Sequence, residues 1–293
     1  LIRRIRVLFF KEKKMYAIVN NIIKFSNVDG PGNRMAVFFQ GCNFNCLYCH
    51  NPETIKFCNN CGECVKVCPV QALKTVDGIV KWDKKKCVDC DACIKTCKFF
   101  SSPKTEKYTV ADLVKEVEKV KIFIQGVTVS GGEATLNADF ITEFFREVKK
   151  MNLSVFVDTN GGIDLSLEKY SKFVDVTDKF MLDIKAWNLN EHKALIGTDN
   201  KNVLKNLRFL LEKDKMYEVR TVVNSMINAE ETVMETARII KDYPDVKYKI
   251  IAYRHFGVKE NFKEKFSPLP VMGDLEKLKE KAEKIMKNEI ILL

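Results

Sequence analysis

Within Gly41 to His50, three thiols, Cys42, Cys46 and Cys49, stand in the spacing CxxxCxxC directly after the apolar run Met35 to Phe39. A closed zinc site or a fully ligated 4Fe-4S cluster takes four protein ligands, so a cube held by these three leaves one iron open to an outside molecule. An iron with an open position can act on what it binds. Three neighbouring thiols can also be ordinary buried cysteines, and the rest of the chain weighs against that simpler account.

From Phe57 the composition changes abruptly. Cys58, Cys61, Cys64 and Cys68 follow C-x2-C-x2-C-x3-C with Pro69 next, and Cys87, Cys90, Cys93 and Cys97 repeat the spacing. This is the run of bacterial two-cluster ferredoxins, in which the fourth cysteine of each set ligates the other cluster. The expected groups are Cys58, Cys61, Cys64 with Cys97, and Cys87, Cys90, Cys93 with Cys68. Zinc ribbons use paired CxxC knuckles, which three closely spaced thiols fit badly. Lys98 stands where a second proline is usual, which bears on the local turn and not on the ligand count. The 11 cysteines, with no secretory-type segment, argue for the reducing cytoplasm and metal ligation rather than disulfides. Three clusters would also favour an anaerobic setting.

The elements that must position these thiols alternate. A short strand is expected over 16–25, a turn at Asp29-Gly30-Pro31-Gly32, and a buried parallel strand over 34–40 whose carboxyl end delivers the three-thiol loop. After Ser101-Ser102-Pro103 come a helix over 110–120, strand 126–130, helix 138–150, strand 153–158, a break at Asn160-Gly161-Gly162 and strand 180–184. Helix 202–212, strand 218–223, helix 230–241, strand 247–253 and a last helix over 275–287 follow. Six strands alternating with helices argue for a parallel sheet covered by helices, two strands short of a closed eight-stranded barrel.

Polar residues collect at the strand ends, where α/β folds build sites. Ser130-Gly131-Gly132-Glu133 offers glycines that let backbone approach a ligand or merely turn. Asp158-Thr159-Asn160-Gly161 follows the next strand. Asp183-Ile184-Lys185 sets opposite charges on one strand face, a pattern that is usually a surface ion pair. Arg220 and Arg254 lie in or at the end of the last two strands, where each could also pair with a core carboxylate. Together they suit a ligand carrying an amino group, a carboxylate, a ribose and a sulfonium. His192 reads as a helix-surface residue, and none of His50, His192 and His255 reads as part of a catalytic triad.

No apolar run approaches the roughly 18 residues of a membrane span. The net charge of +10 alone would suggest nucleic acid. Ligation of three clusters by thiolates lowers it to about +5, and basic runs such as Lys84-Lys85-Lys86 then read as a solvated face. Leu1 to Lys14 reads as a non-native or disordered leader ahead of a start at Met15. The expected domains are 15–52 with 106–293, and an insert over 53–105.

The thiol loop with an aromatic before its last cysteine, the Gly-Gly-Glu and the strand alternation resemble the radical S-adenosylmethionine enzymes. More narrowly, Asp29-Gly30-Pro31-Gly32, Tyr48-Cys49-His50-Asn51-Pro52, Val129-Ser130-Gly131-Gly132-Glu133-Ala134, Asp158-Thr159-Asn160-Gly161 and Met181-Leu182-Asp183-Ile184-Lys185 resemble the glycyl-radical-enzyme activating enzymes of the pyruvate formate-lyase activase type. The insert is similar to that of members with two extra clusters, especially the YjjW-like subgroup. The resemblance runs from about Ile22 to the C-terminus.

It implies an α/β fold, a partial (β/α)6 TIM-like barrel with an inserted two-cluster ferredoxin-like domain. It implies three 4Fe-4S clusters, and an open iron that chelates the methionyl amino and carboxylate groups of S-adenosylmethionine. Tyr48 would lie by the adenine, Gly131, Gly132 and Glu133 by the amino group, Asp183 and Lys185 by the methionyl and ribose parts, and Arg220 and Val222 on the ribose side. Asp158, Thr159, Met181 and Asp183 match positions that hold a monovalent cation. Where the family often has Tyr-His before a glycine, this chain has Tyr253-Arg254-His255-Phe256-Gly257, so Arg254 or His255 takes that role; Asn224 to Asn228 replaces a usual Pro-Gly turn. The implied activity is reductive cleavage of S-adenosylmethionine to a 5′-deoxyadenosyl radical that takes a glycine α-hydrogen from a partner glycyl radical enzyme. A flavodoxin or ferredoxin-type protein would be the reductant, with no nucleic-acid or membrane partner. The alternatives are a radical enzyme acting on a small molecule or peptide, and a ferredoxin-type electron carrier.

Overall fold

The computed structural model describes residues 15–293, so the leader expected over 1–14 lies outside the described residues. In chain order the strands and α-helices are β1 (Tyr16–Ser26), β2 (Arg34–Phe39), α1 (Glu63–Lys66), β3 (Leu73–Val76), β4 (Ile79–Trp82), α2 (Ala92–Thr96), β5 (Glu106–Thr109), α3 (Val110–Glu118), β6 (Gly126–Gly131), α4 (Ala138–Lys149) and β7 (Ser154–Thr159). There follow α5 (Ser171–Val176), β8 (Lys179–Asp183), α6 (Leu189–Ile196), α7 (Lys201–Glu212), β9 (Met216–Val223), α8 (Ala229–Ile240), β10 (Lys247–Ala252), α9 (Glu260–Lys263), α10 (Met272–Glu283) and β11 (Ile290–Leu292).

Among the described residues one sheet has the order β11-β10-β9-β8-β7-β6-β2-β1-β5, and β3 with β4 forms a separate hairpin. The six strands of the expected alternation, β2 and β6 to β10, pair in parallel, and β11 extends them. At the other edge β1 lies antiparallel between β2 and β5. This mixed α/β fold with a large parallel sheet matches the expected class.

Side chains alternate across each strand. Val127, Val129, Val155, Val157, Phe180, Leu182, Val219 and Ile250 belong to the main buried core. The same core takes in Phe140, Ile141, Phe144, Phe145 and Val148 of α4, spaced along one helix face. The other face of the strands sets buried polar groups among Ala36, Phe156 and Met181. Arg34, fully buried, donates to Thr128 Oγ1 (2.8 Å) and Ser154 Oγ (2.9 Å) and lies over the Phe156 ring. Register then levels the functional ends, with Phe39 opposite Gly131 and Asp183 opposite Arg220.

The segment after the thiol loop leaves and rejoins the sheet at one place, where Lys56 N donates to Phe100 O (2.9 Å). Between these points Cys64, Leu73, Val80 and Cys93 form a small core of their own, with Cys68, Trp82, Val65 and Ile94 against it. Lys259 ties the far end of the chain to it through the carbonyls of Ile94 (3.3 Å) and Cys97 (3.2 Å).

Candidate functional site

The thiol loop is held at both ends. Gln40 is buried and donates Nε2 to the carbonyls of Glu53 (2.7 Å) and Lys56 (2.6 Å), while Asn20 donates to its Oε1 (2.8 Å). Asn45 N and Leu47 N donate to the carbonyls of Ile196 and Leu195 at the end of α6. His192, expected on a helix surface, is instead 0% exposed. Its helix packs under the loop, the imidazole stands edge-on to Phe44, and its Nδ1 meets Thr198 O at 2.9 Å.

One cleft is lined by Cys42, Cys46, Tyr48, Cys49, Gly131, Gly132, Glu133, Asp158, Thr159, Asp183, Lys185 and Val222, so most of the residues expected to hold the ligand converge. The two glycines have a packing reason. A Cβ at Gly131, whose φ is +120°, would stand 2.2 Å from Phe39 N, and one at Gly132 would stand 2.2 Å from Gly41 O. Only bare backbone lets the end of β6 lie so close to the start of the thiol loop.

Burial dominates the thiols. It pushes Cys42 up to about 12, assisted by the Glu133 carboxylate, and Cys49 up to about 12, assisted by Cys46. Cys46 is raised by the same cause, against the pull of Lys185. Such thiols stay protonated until a strong Lewis acid displaces the proton, which iron does and a soft surface site does not need. The Tyr48 hydroxyl is buried without a hydrogen bond of ordinary length, with Lys185 the cation that acts on it. Lys185 Nζ lies 5.5 Å from the Tyr48 ring centre. These features fit a cluster and a polar nucleoside-bearing ligand.

The charges of the cleft floor pair across strands. Lys185 bonds Asp183 at 2.9 Å; burial tends to raise the Asp183 carboxyl, yet Lys185 and Arg220 outweigh it and hold it below the usual range. Asp158 goes the other way, raised by burial despite Arg220. Arg220 donates to Asp158 (3.1 Å), to Met181 Sδ (2.9 Å) and to Glu218, which Lys249 also pairs at 2.8 Å. Asp158, Thr159, Met181 and Asp183, the positions expected for a monovalent cation, are each engaged by a group of the chain itself. A guanidinium already stands between two of those residues, Lys185 neutralises a third, and Thr159 Oγ1 donates to Glu133. Among the described residues no three His, Cys, Asp or Glu side chains close on a single metal ion; a four-iron cube spreads its ligands more widely.

Glu133 accepts from Thr135 N, Thr135 Oγ1, Thr159 Oγ1 and Asn160 N, so both of its oxygens are engaged by the protein. Arg254 is not brought to the cleft: its side chain is exposed and only its carbonyl is used, by His50 Nε2 at 3.2 Å. His255 bonds the Tyr253 hydroxyl at 3.1 Å. Glu218 and Lys249, on the strand face of Arg220, and Asn160, after β7, join the site as well, and their positions beside Arg220 and Thr159 are the signal the sequence carries for them.

Two further cavities lie in the insert. One is lined by Cys58, Cys61, Cys64 and Cys97, the other by Cys68, Cys87 and Cys90, and Cys93 borders both.

Comparison with known proteins assigns the class. The profile described as Radical SAM superfamily matches residues 36–243, and the chain belongs to that superfamily. Similar proteins include the trans-4-hydroxy-L-proline dehydratase activating enzyme of Clostridioides difficile, 31% identical over 249 residues covering 78% of this chain and 80% of that one. The pyruvate formate-lyase-activating enzyme of Streptococcus mutans is 30% identical over 270 residues, 89% of this chain and 86% of that one. In fold the chain is similar to Streptococcus suis SuiB bound to its precursor peptide, with TM-score 0.57, 11% identity, and coverage of 87% of this chain and 47% of that one. The superfamily implies S-adenosylmethionine and a 4Fe-4S cluster as cofactors.

Proposed function

We propose that the chain is a glycyl-radical-enzyme activating enzyme whose open cluster is held by Cys42, Cys46 and Cys49. The observation that carries this reading is the convergence of three half-buried thiols with Gly131 to Glu133, Asp158, Asp183 and Lys185 on one cleft, in a chain whose relatives are activating enzymes of this kind. When bound, the reduced cluster supplies one electron that breaks a C–S bond of S-adenosylmethionine, leaving methionine and a 5′-deoxyadenosyl radical that takes a hydrogen atom from a glycine of the partner.

The chain's own groups bind and orient. Lys185 and Asp183 present a cation and a carboxylate to the zwitterionic end of the ligand, Val222 offers an apolar wall, and the Tyr48 hydroxyl receives a polar partner. No side-chain acid or base has to move a proton. The insert over 53–105 is read as a ferredoxin-like domain of the YjjW-like kind, with clusters on Cys58, Cys61, Cys64, Cys97 and on Cys68, Cys87, Cys90, Cys93; the two cavities so lined support that grouping. By the same resemblance a flavodoxin or ferredoxin-type protein would be the reductant, and 11 cysteines outside disulfides suit a reducing, oxygen-poor cytoplasm.

The test is anaerobic. The reconstituted, reduced protein should release 5′-deoxyadenosine from S-adenosylmethionine, and with a candidate glycyl radical enzyme should produce a glycyl signal by electron paramagnetic resonance. Intact S-adenosylmethionine, or a Cys46→Ala variant as fast as the parent, would end the proposal. Cleavage without a glycyl signal would point to a small-molecule or peptide substrate.

A further inference from the structure

The Cys42 sulfur has a side-chain donor. Asn160 Nδ2 lies 3.6 Å from Cys42 Sγ, within reach of an N–H···S hydrogen bond, and Phe44 N donates to the same sulfur at 3.4 Å. Among the described residues no other side-chain amide donates to a sulfur of this loop; Asn43 Oδ1, 4.0 Å from Cys42 Sγ, is an acceptor. The orientation of the Asn160 amide is fixed by its surroundings: Oδ1 accepts from Gly162 N at 2.8 Å, which leaves Nδ2 to face Cys42 and Asn43 Oδ1 (2.9 Å).

The backbone beneath it is fixed too. Asn160 N donates to Glu133 Oε2 at 2.7 Å, and the other Glu133 oxygen takes Thr159 Oγ1 at 2.7 Å and Thr135 Oγ1 at 2.6 Å. Gly162 has no room to shift, since a Cβ there would meet Asn43 Nδ2 at 2.4 Å and the Phe44 ring at 2.5 Å. Glu133 at the end of β6 thus anchors the turn after β7, and the turn aims one amide at one sulfur. Asn160 itself is buried.

We infer that Asn160 is a positioning residue for Cys42, and that its amide N–H raises the reduction potential of the cluster Cys42 holds by stabilising the extra negative charge of the reduced form. Hydrogen bonds to ligand sulfurs are among the protein's means of setting cluster potentials. The inference rests on the proposed cluster at Cys42, Cys46 and Cys49.

The experiment is a redox titration followed by electron paramagnetic resonance on the full reconstituted chain, reading the signal that changes when S-adenosylmethionine is added. Asn160→Asp keeps the shape and the bond from Gly162 N but replaces the donor with a negative acceptor. Its reduced-to-oxidised ratio at a fixed potential should fall about tenfold, a shift of about 59 mV for one electron. Asn160→Ala should fall less, about threefold, while signals that ignore S-adenosylmethionine keep their potentials in both variants. The parent potential in both variants overturns the inference. If neither variant retains the responsive cluster, the unaltered protein carrying 15N-asparagine decides: a coupled asparagine nitrogen in pulsed spectra supports the bond, and its absence overturns it. No responsive signal in the parent at all would instead remove the proposed cluster itself.

Discussion

At the scale of single residues the cleft is a problem of buried charge. Lys185 is nearly inaccessible, with Asp183 its ion-pair partner at 2.9 Å. Removing Lys185 leaves the Asp183 carboxylate, 29% exposed, with only Arg220 to offset it, at a cost below the ~3–5 kcal/mol of a fully buried pair, whereas removing both is far milder. Lys185→Met should therefore lower the urea midpoint, and Lys185→Met with Asp183→Leu should recover most of the loss while neither variant cleaves S-adenosylmethionine. The thiols give a prediction of opposite chemical kind. In the metal-free fold Cys42 and Cys49 ionise only near 12 instead of the ordinary 9.0. Between those values the unfolded chain binds fewer protons than the folded one, so stability falls as pH rises through that window. Urea midpoints of the metal-free protein should be lower at about pH 10 than at about pH 8, and Cys42→Ala with Cys49→Ala should flatten the dependence.

Elements set the distances on which those residues depend. The end of β6 touches the thiol loop through backbone alone: Gly132 N donates to Phe39 O at 2.9 Å and Glu133 N to Gly41 O at 2.8 Å. Gly132→Ala would drive a methyl group into Gly41 O and push the loop off its place. Under the proposed three-cluster arrangement, iron content should drop from about twelve toward about eight atoms per chain, with the cysteines of 53–105 still occupied. Much of this scaffold was legible in the sequence. The runs over 34–39, 126–130 and 153–159 are almost wholly apolar up to the polar residues at their ends, as strands covered on both sides must be. What escaped has physical reasons. Strand β11 has three residues and β5 has four with two charges, too short for a period to register. His192 sits in a helix of mixed polarity whose inner face is defined by the thiol loop and not by its own pattern. Arg220 could be placed on a strand, but its insertion between Asp158 and Met181 depends on a register between three strands that no local pattern encodes.

Across the whole molecule two cores of very different size share one chain. The sheet and its helices bury a continuous apolar interior running from Ala17 to Ile290, large enough to fold by itself. The insert's core is Cys64, Leu73, Val80 and Cys93, so half of its buried apolar members are themselves expected ligands. A core that small does not offset the entropy of ordering some fifty residues, and domains of this size ordinarily depend on metals or disulfides. Binding of the proposed clusters there would supply folding free energy. The anchors to the barrel reinforce the point, since Lys259 reaches the carbonyls of Ile94 and Cys97 and Phe262 stacks on Phe100 only when the insert has its folded shape. Stripping iron with a chelator should therefore divide the molecule. Protease should cut first between Phe57 and Phe99 while the segments on either side stay associated and protected, and far-ultraviolet circular dichroism should retain most of its signal. Cys97→Ala and Cys68→Ala, each removing one ligand from a different cavity, should reproduce that susceptibility in part without chelator. Loss of the barrel's protection at the same chelator concentration would mean that the two cores fold as one unit, and that the clusters support the sheet as well as the insert.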